Sequence, residues 1–139
     1  MNRPLRCRWL LALTVIVFQI AVGSANADVA ADEKAIRQQL ALPTKLELTN
    51  FPLEDTIAYL MDYHDIGILL DGEELQKAGI DASRLTITKK TMGRLDDTLN
   101  DVLPPLNLSF MIDGGVLWIT TRAKAKEWQK TYARTRGLK

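Results

Sequence analysis

The sequence predicts an α+β domain in which helices pack on a small β-sheet. Segments with alternating apolar and polar residues, typical of half-buried strands, are separated by segments whose apolar residues recur every three or four positions, typical of amphipathic helices. In addition, a helix and the strand that follows it recur 42 residues further along the chain. This repeat predicts two β-α-β halves in one domain.

The first 27 residues have the features of a secretory signal peptide. Three arginines precede an apolar stretch over residues 9–22, and small residues follow at Ala25 and Ala27. We therefore expect cleavage between Ala27 and Asp28, and export to the periplasm or the cell exterior. The apolar stretch is shorter than the ~20 residues that a membrane-spanning helix needs, so we expect no stable membrane span after cleavage.

Cleavage would change both the cysteine content and the charge. It removes Cys7, the single cysteine, so neither a disulfide nor a thiolate ligand is expected in the mature protein. The formal charge changes from +1 to −2, because three arginines and no acid are lost. Residues 28–121 carry eight basic and sixteen acidic side chains, whereas residues 122–139 carry seven basic side chains and Glu127. The sequence thus predicts an acidic domain with a basic C-terminal tail.

The first predicted elements are a helix and a strand. After a flexible start over residues 28–32, residues 33–42 have the spacing of a short helix, which Pro43 ends. Residues 45–49 alternate between apolar and polar side chains, as a half-buried strand does.

A second helix and strand complete the first half. Pro52 suits the first turn of a helix, and Asn50 is a candidate cap. Residues 66–70 form the next strand, and a short helical turn over residues 71–77 is closed at Gly79. The apolar stripe of the helix consists of Leu53, Ile57, Leu60, Met61 and His64.

The second half repeats this pattern. Its helix opens near Gly93 and stops at Pro104, because proline cannot continue the hydrogen-bond ladder. Gly114 and Gly115 provide the positive φ angles of a hairpin turn. Residues 123–132 are prone to form a final helix. The strands of this half are expected at residues 85–88, 108–113 and 116–121.

The internal repeat relates the two halves without gaps from the helix onward. It aligns Leu53 with Leu95 and Ile66 with Leu108. The strands before the two helices align only after a slip of three residues, which assigns an insertion to residues 89–92. The predicted order is β-α-β-β-α-β-β, in one sheet with both helices packed on it and with flanking N- and C-terminal helices.

Five segments consist of core and turn residues in this order: LELTNFPLEDTI at 46–57, LTIT at 85–88, LDDTL at 95–99, LNLSF at 106–110 and VLWIT at 116–120. Together with the order of the elements, they resemble the secretin and TonB short N-terminal domain over roughly residues 36–121. The resemblance implies a periplasmic module that contacts other proteins and is not known as a catalyst. The eighteen residues after Thr121 are too few for a pore or a barrel, so channel activity is not expected.

His64 is the single histidine and hence a candidate general base or metal ligand. The repeat aligns it with Leu106, which favours a position at the end of the core stripe. Zinc also needs further nitrogen or sulfur ligands, which the mature chain lacks. We therefore expect no metal and no cofactor.

Acids and serines are the other candidate catalytic groups. Asp96, Asp97 and Asp101 have the spacing of paired acids for hydrolysis, but the helix dipole explains the first two. Ser83 and Ser109 are the only serines after the signal peptide, and a single histidine does not support a nucleophilic triad. We therefore expect no catalytic residue and no enzymatic activity.

The basic tail is the one candidate binding site that can be named from the sequence. It suits an acidic protein face, phospholipid headgroups or cell-wall polymer, or it is a solvated helix face. Apolar residues at Ala125, Trp128 and Tyr132 predict a helix that docks on the domain. Export and an acidic domain argue against nucleic acid. The tail residues are Arg122, Lys124, Lys126, Lys130, Arg134, Arg136 and Lys139.

These observations divide the chain into four parts. They are the signal peptide (1–27), an N-terminal linker and short helix (28–44), the β-α-β domain (45–121) and a basic helix or tail (122–139). The expected function is that of an exported, non-catalytic adaptor that docks another envelope protein through an open sheet edge, its basic tail or both, with secretin and TonB systems as candidate sources of the partner. The sequence does not identify which strand lies at the edge. The alternatives are a small periplasmic hydrolase or inhibitor, and a protein that binds anionic membrane or wall surfaces.

Overall fold

The structure, a computed structural model, describes residues 25–135. The α+β class is confirmed, as are the order β-α-β-β-α-β-β and a helix at each end. In chain order the elements are α1 (Ala25–Leu40), β1 (Pro43–Pro52), α2 (Leu53–His64), β2 (Ile68–Leu70), α3 (Gly72–Lys77), a 3-10 turn (Ala82–Arg84), β3 (Thr86–Arg94), α4 (Leu95–Val102), a 3-10 turn (Pro104–Leu106), β4 (Leu108–Asp113), β5 (Val116–Thr121) and α5 (Arg122–Thr135).

The strands form two small sheets rather than the single sheet that we expected. β1 and β3 pair antiparallel in one sheet, and the other has the order β2-β5-β4, with β2 parallel and β4 antiparallel to β5. Each half contributes its first strand to one sheet and its second strand to the other. The helix of each half therefore connects the sheets, and α4 contacts β1 and β3 of one sheet and β4 of the other.

Two backbone hydrogen bonds tie the halves together reciprocally. The N–H of Leu53, which begins α2, donates to the carbonyl of Leu85 just before β3, at 2.9 Å. The N–H of Leu95, which begins α4, donates to the carbonyl of Leu42 just before β1, at 3.0 Å. The first N–H groups of a helix have no partner inside it. Each half thus satisfies one such group of the other.

The insertion predicted at residues 89–92 is wrong, because these residues lie within β3 and pair with β1. The extra residue is in β1, where the register shifts between Leu48 and Phe51. There Asn50 has a φ of 51°, and its N–H donates to the Thr88 hydroxyl at 2.8 Å. Asn50 is therefore a bulge residue and not the cap of α2. The bulge moves equivalent strand positions from 42 to 43 residues apart, as the matching bonds of Leu42 and Leu85 show, so the predicted alignment of Leu46 with Leu85 is wrong.

The two halves use the same core positions. Leu53 and Leu95 are 1% and 0% exposed, and the helix ends are also equivalent, since Asp65 and Asn107 adopt φ angles of 50° and 59°. Both halves contribute to one cluster of buried apolar side chains. Its other members include Ile36, Leu46, Leu60, Leu99, Leu108, Leu117 and Ile119.

The predicted turns are confirmed. Gly114 and Gly115 between β4 and β5 have φ angles of 60° and 76°, as the hairpin requires. Asp71 caps α3 by accepting a hydrogen bond from the N–H of Glu74 at 3.2 Å. Gly79 follows that helix with a φ of 72°.

The N-terminal segment differs from the prediction. Residues 28–32, expected as a flexible start, belong to α1, which contacts β4, β5 and α4. The approach to the hairpin is close, since a Cβ atom on Gly115 would lie 2.9 Å from the Cβ of Asp32. Residues 1–24 and 136–139 lie outside the described residues, and with them most of the predicted signal peptide and the tail residues Arg136 and Lys139.

We expect opposite effects when the equivalent threonines of the two halves are replaced. The Thr56 hydroxyl donates to the Pro52 carbonyl at 2.9 Å, whereas the Thr98 hydroxyl, buried to the same extent, has no partner among the described residues. Thr56→Val should lower the free energy of unfolding by about 1 kcal/mol, and Thr98→Val should leave it unchanged or raise it by about 1 kcal/mol. Urea unfolding of both variants measures the difference, and equal losses would contradict this account.

Candidate interaction site

His64 is a core residue, as its place in the repeat predicted. Its side chain is 3% exposed, and Nε2 forms a hydrogen bond with the hydroxyl of Thr44, which is 1% exposed. The ring of Tyr63 packs edge-on against the imidazole, with ring centroids 4.9 Å apart. Burial lowers the pKa of His64 below its ordinary value of 6.5, because desolvation disfavours the charged form.

The three acids of α4 do not converge on one site. Asp96 accepts two hydrogen bonds from the Arg94 guanidinium, at 3.0 and 2.6 Å. Asp101 pairs with Lys89 on β3 at 3.4 Å, and Asp97 is exposed. Two of the acids thus pair with separate basic residues and the third is exposed, which differs from the paired carboxylates that hydrolysis needs.

The other candidate groups are also separate. The Ser83 hydroxyl donates to Asp81 at 2.6 Å, and Ser109 lies in β4, whereas His64 bonds to a threonine. Within residues 25–135, no group of three or more His, Cys, Asp or Glu side chains could hold a metal ion. In the same part of the chain, no helix combines the length and the apolar character needed to cross a membrane.

One edge of β1 is open. Among the described strands, β1 pairs only with β3, so the N–H and C=O groups on its other side have no strand partner. Thr44, Leu46 and Leu48 point to the core side of the strand, and the residues between them point to solvent. This is an exposed ladder of backbone groups that an extended chain can join.

An apolar groove of about 350 Å³ follows this edge. All of its lining residues come from β1 and α2, which places it on the side of β1 away from β3. Phe51 and Tyr59 are 39% and 42% exposed, and Tyr59 stacks on Tyr63, which is 56% exposed, with centroids 5.8 Å apart. We name this site the β1 groove; it is lined by Lys45, Leu46, Glu47, Leu48, Phe51 and Tyr59.

The equivalent edge of β3 has a different character. The repeat places Asp101 where α2 has Tyr59, and Asp101 pairs with Lys89 beside a smaller groove of about 250 Å³. Lys89 lies on the core side of β3, in register with Leu48 of β1. An inward-pointing charge on an edge strand opposes strand addition. The β3 edge is thus protected by charge, whereas the β1 edge offers apolar side chains.

The basic residues of α5 form a ridge on its outer side. Ala125 is buried, and the stacked rings of Trp128 and Tyr132, with centroids 4.6 Å apart, are half-buried, so the helix docks on β4 and β5 as predicted. Four of the five exposed cations of α5 follow each other at i, i+4 spacing, whereas the fifth, Lys124, lies outside this row. None of the five makes a salt bridge with a described residue. We name this the α5 ridge; it consists of Arg122, Lys126, Lys130 and Arg134.

Comparison with protein-family models, with curated proteins and with solved structures finds no match to this chain. Its function is therefore inferred from the β1 groove and the α5 ridge. The ridge was predicted from the sequence, but the groove was not. Tyr59 and Tyr63 were the signal for it, since they lie four residues apart on α2 outside its apolar stripe.

We expect His64 to make the stability depend on pH between about 7.5 and 5.5. Its pKa is lowered in the folded protein, so below about 6.5 the unfolded chain binds more protons than the folded one. The free energy of unfolding should therefore fall as the pH falls through this range. In the double variant His64→Leu, Thr44→Val, the free energy of unfolding should depend less on pH. Thr44→Val is included because the Thr44 hydroxyl would otherwise lose its hydrogen-bond partner. Urea unfolding at three pH values measures this, and identical slopes in both proteins would exclude His64 as the cause.

Proposed function

We propose that this chain is an exported, non-catalytic adaptor of the cell envelope, which docks another envelope protein by strand addition at the β1 edge. The observation that carries the proposal is the β1 groove, where unpaired backbone groups and exposed aromatic side chains lie side by side. In strand addition, the backbone bonds supply affinity and side-chain pockets supply specificity. The β1 groove offers both.

The difference between the two edges supports this site. A protein that only had to avoid aggregation would protect both open edges of a two-stranded sheet. Here Lys89 and Asp101 protect β3, while Leu48 and Tyr59 leave β1 apolar and accessible. The other exposed edges are less suitable, because β2 has three residues and β4 is contacted by α5.

The resemblance to the secretin and TonB short N-terminal domain supports the adaptor role and the periplasmic location. The element order on which it rests is present, and the quoted segments provide core residues of both halves, Leu46 and Leu53 in the first and Ile87 and Leu95 in the second. In that family the domain contacts other proteins, which suits a site made of backbone edge and aromatic side chains.

We expect Tyr59→Asp to abolish capture of the partner. The change places in the first half the residue that the second half has at the equivalent position, and it puts a charge beside the edge. The processed protein, purified from cells that express the full sequence, is the bait for solubilised envelope, and captured proteins are identified by mass spectrometry.

Leu69→Asp is the matched control, because Leu69 is 46% exposed, close to the 42% of Tyr59, but lies in the other sheet. A specific envelope protein that is captured by the wild type and by Leu69→Asp, and lost with Tyr59→Asp, supports docking at β1. Capture that is unaffected by Tyr59→Asp would move the site elsewhere. No specific protein with any bait would contradict the adaptor role.

A second candidate function is binding to an anionic surface through the α5 ridge. Like charges at i, i+4 destabilise a helix by about 0.2–0.5 kcal/mol per pair, and the ridge has such pairs between successive members. By contrast, five of the eight basic residues between positions 28 and 121 pair with an acid: Lys77, Arg84, Lys89, Lys90 and Arg94. A row of cations with no acid partner among residues 25–135 suits headgroups or wall polymer as ligands.

We expect Lys126→Glu with Lys130→Glu to weaken binding to vesicles that contain anionic lipid by about tenfold or more, since each cation near such a surface contributes about 1 kcal/mol. Lys34→Glu with Arg37→Glu on α1 changes the charge equally at exposed positions and is the control. Cosedimentation at increasing salt measures binding, which should weaken as the salt screens the charges. Retention that neither salt nor the ridge variant alters would contradict this candidate.

A further inference from the structure

The exposed side of β1 carries a charge pattern that is complementary to itself. Lys45 and Glu47 lie two residues apart and point to solvent on the same side of the strand. Glu47 accepts a hydrogen bond from Lys90 on β3 at 2.7 Å, which leaves its second carboxylate oxygen available. Lys45 makes no salt bridge with a described residue. The strand thus offers one cation and one anion side by side at an open edge.

Antiparallel pairing of two β1 strands has one register that matches these charges. A pair centred on Leu46 places Lys45 opposite Glu47 of the second copy, and Glu47 opposite its Lys45. The core-side residues then also face each other, with Thr44 opposite Leu48. A shift of two residues in either direction sets Lys45 opposite Lys45, or Glu47 opposite Glu47, which destabilises the pair. A shift of one residue would turn the core side of one strand outward.

The extent of the regular strand also places the centre of the β1–β1 pair at Leu46. Pro43 lacks an N–H at one end, and the bulge at Asn50 breaks the register at the other. Between them, Thr44 to Leu48 is the uninterrupted stretch, and its middle residue is Leu46. Charge and geometry therefore agree on one two-fold axis.

We propose that β1 pairs antiparallel with β1 of a second copy of this chain, about a two-fold axis at Leu46, to form a four-stranded sheet in the order β3-β1-β1-β3. Each Glu47 then lies between Lys90 of its own chain and Lys45 of the other. The second strand closes the β1 groove beside Leu48 and Tyr59. The inference goes beyond the adaptor function, because it names a second copy as an occupant of the edge.

Charge-reversal variants test this register specifically, because combining two such variants would not restore dimerisation if each had only lowered the affinity in a general way. Lys45→Glu sets Glu opposite Glu47, and Glu47→Lys sets Lys opposite Lys45, so each single variant should raise the Kd of its dimer by about tenfold or more. An equimolar mixture of the two variants restores every opposite-charge pair, and so does the double variant. We expect the mixture and the double variant each to dimerise with a Kd no higher than that of the wild type.

Sedimentation velocity over a range of concentrations, with the processed full protein, measures these equilibria. Glu73→Lys is the matched control. It removes the exposed ion pair between Glu73 and Lys77 on α3, and Glu47→Lys removes the exposed ion pair between Glu47 and Lys90; both pairs have a distance of 2.7 Å. Circular dichroism checks that each variant folds. Weakened single variants and a restored mixture support the proposal. A wild type that stays monomeric at about 1 mM, or single variants that dimerise as the wild type does, would overturn it. Partner capture is measured separately, so a monomeric wild type would overturn the β1–β1 pair without overturning the adaptor function.

Discussion

The structure depends on the exchange of two hydrogen bonds between its halves. Because α2 begins on the Leu85 carbonyl and α4 on the Leu42 carbonyl, each half helps to position the helix of the other. The two bonds lie at the two ends of the β1–β3 ladder, where each helix leaves that sheet towards the second one. Leu53 and Leu95, the donors of these bonds, are also among the most deeply buried side chains. Backbone bonding and apolar burial therefore act at the same two residues.

This near-symmetry makes the differences between the halves informative. Positions that hold the core together are similar in both, as Leu60 and Val102 are, whereas surface positions such as Tyr59 and Asp101 have diverged. Because of this divergence, charged side chains oppose strand addition at the edge of β3, whereas apolar side chains favour it at the edge of β1. If β1 pairs with a second copy, a docked partner must displace that copy, so that self-association and docking compete for one edge.

Much of the fold could be predicted from the sequence, because its signals are local. Alternation, helical spacing and turn residues such as Gly114 identified the strands, the helices and their order. The repeat also identified His64 as a core residue, by aligning it with Leu106. The bulge at Asn50 could not be predicted, since it depends on a bond to Thr88 on another strand. The insertion predicted at residues 89–92 has another cause, since the β3 positions equivalent to Leu46 and Leu48 are Lys89 and Thr91, which carry no apolar signal.

By itself, the sequence determined the α+β class, the order of the elements, the core stripe of α2 and the basic character of α5. Those properties follow from side-chain periodicity and composition along the chain. Only the tertiary structure decided that the strands divide into two sheets and that β1 keeps an open edge beside Phe51 and Tyr59. An edge is defined by which strands do not pair. That depends on contacts between residues far apart in the chain, such as Leu48 and Lys89, which periodicity does not encode.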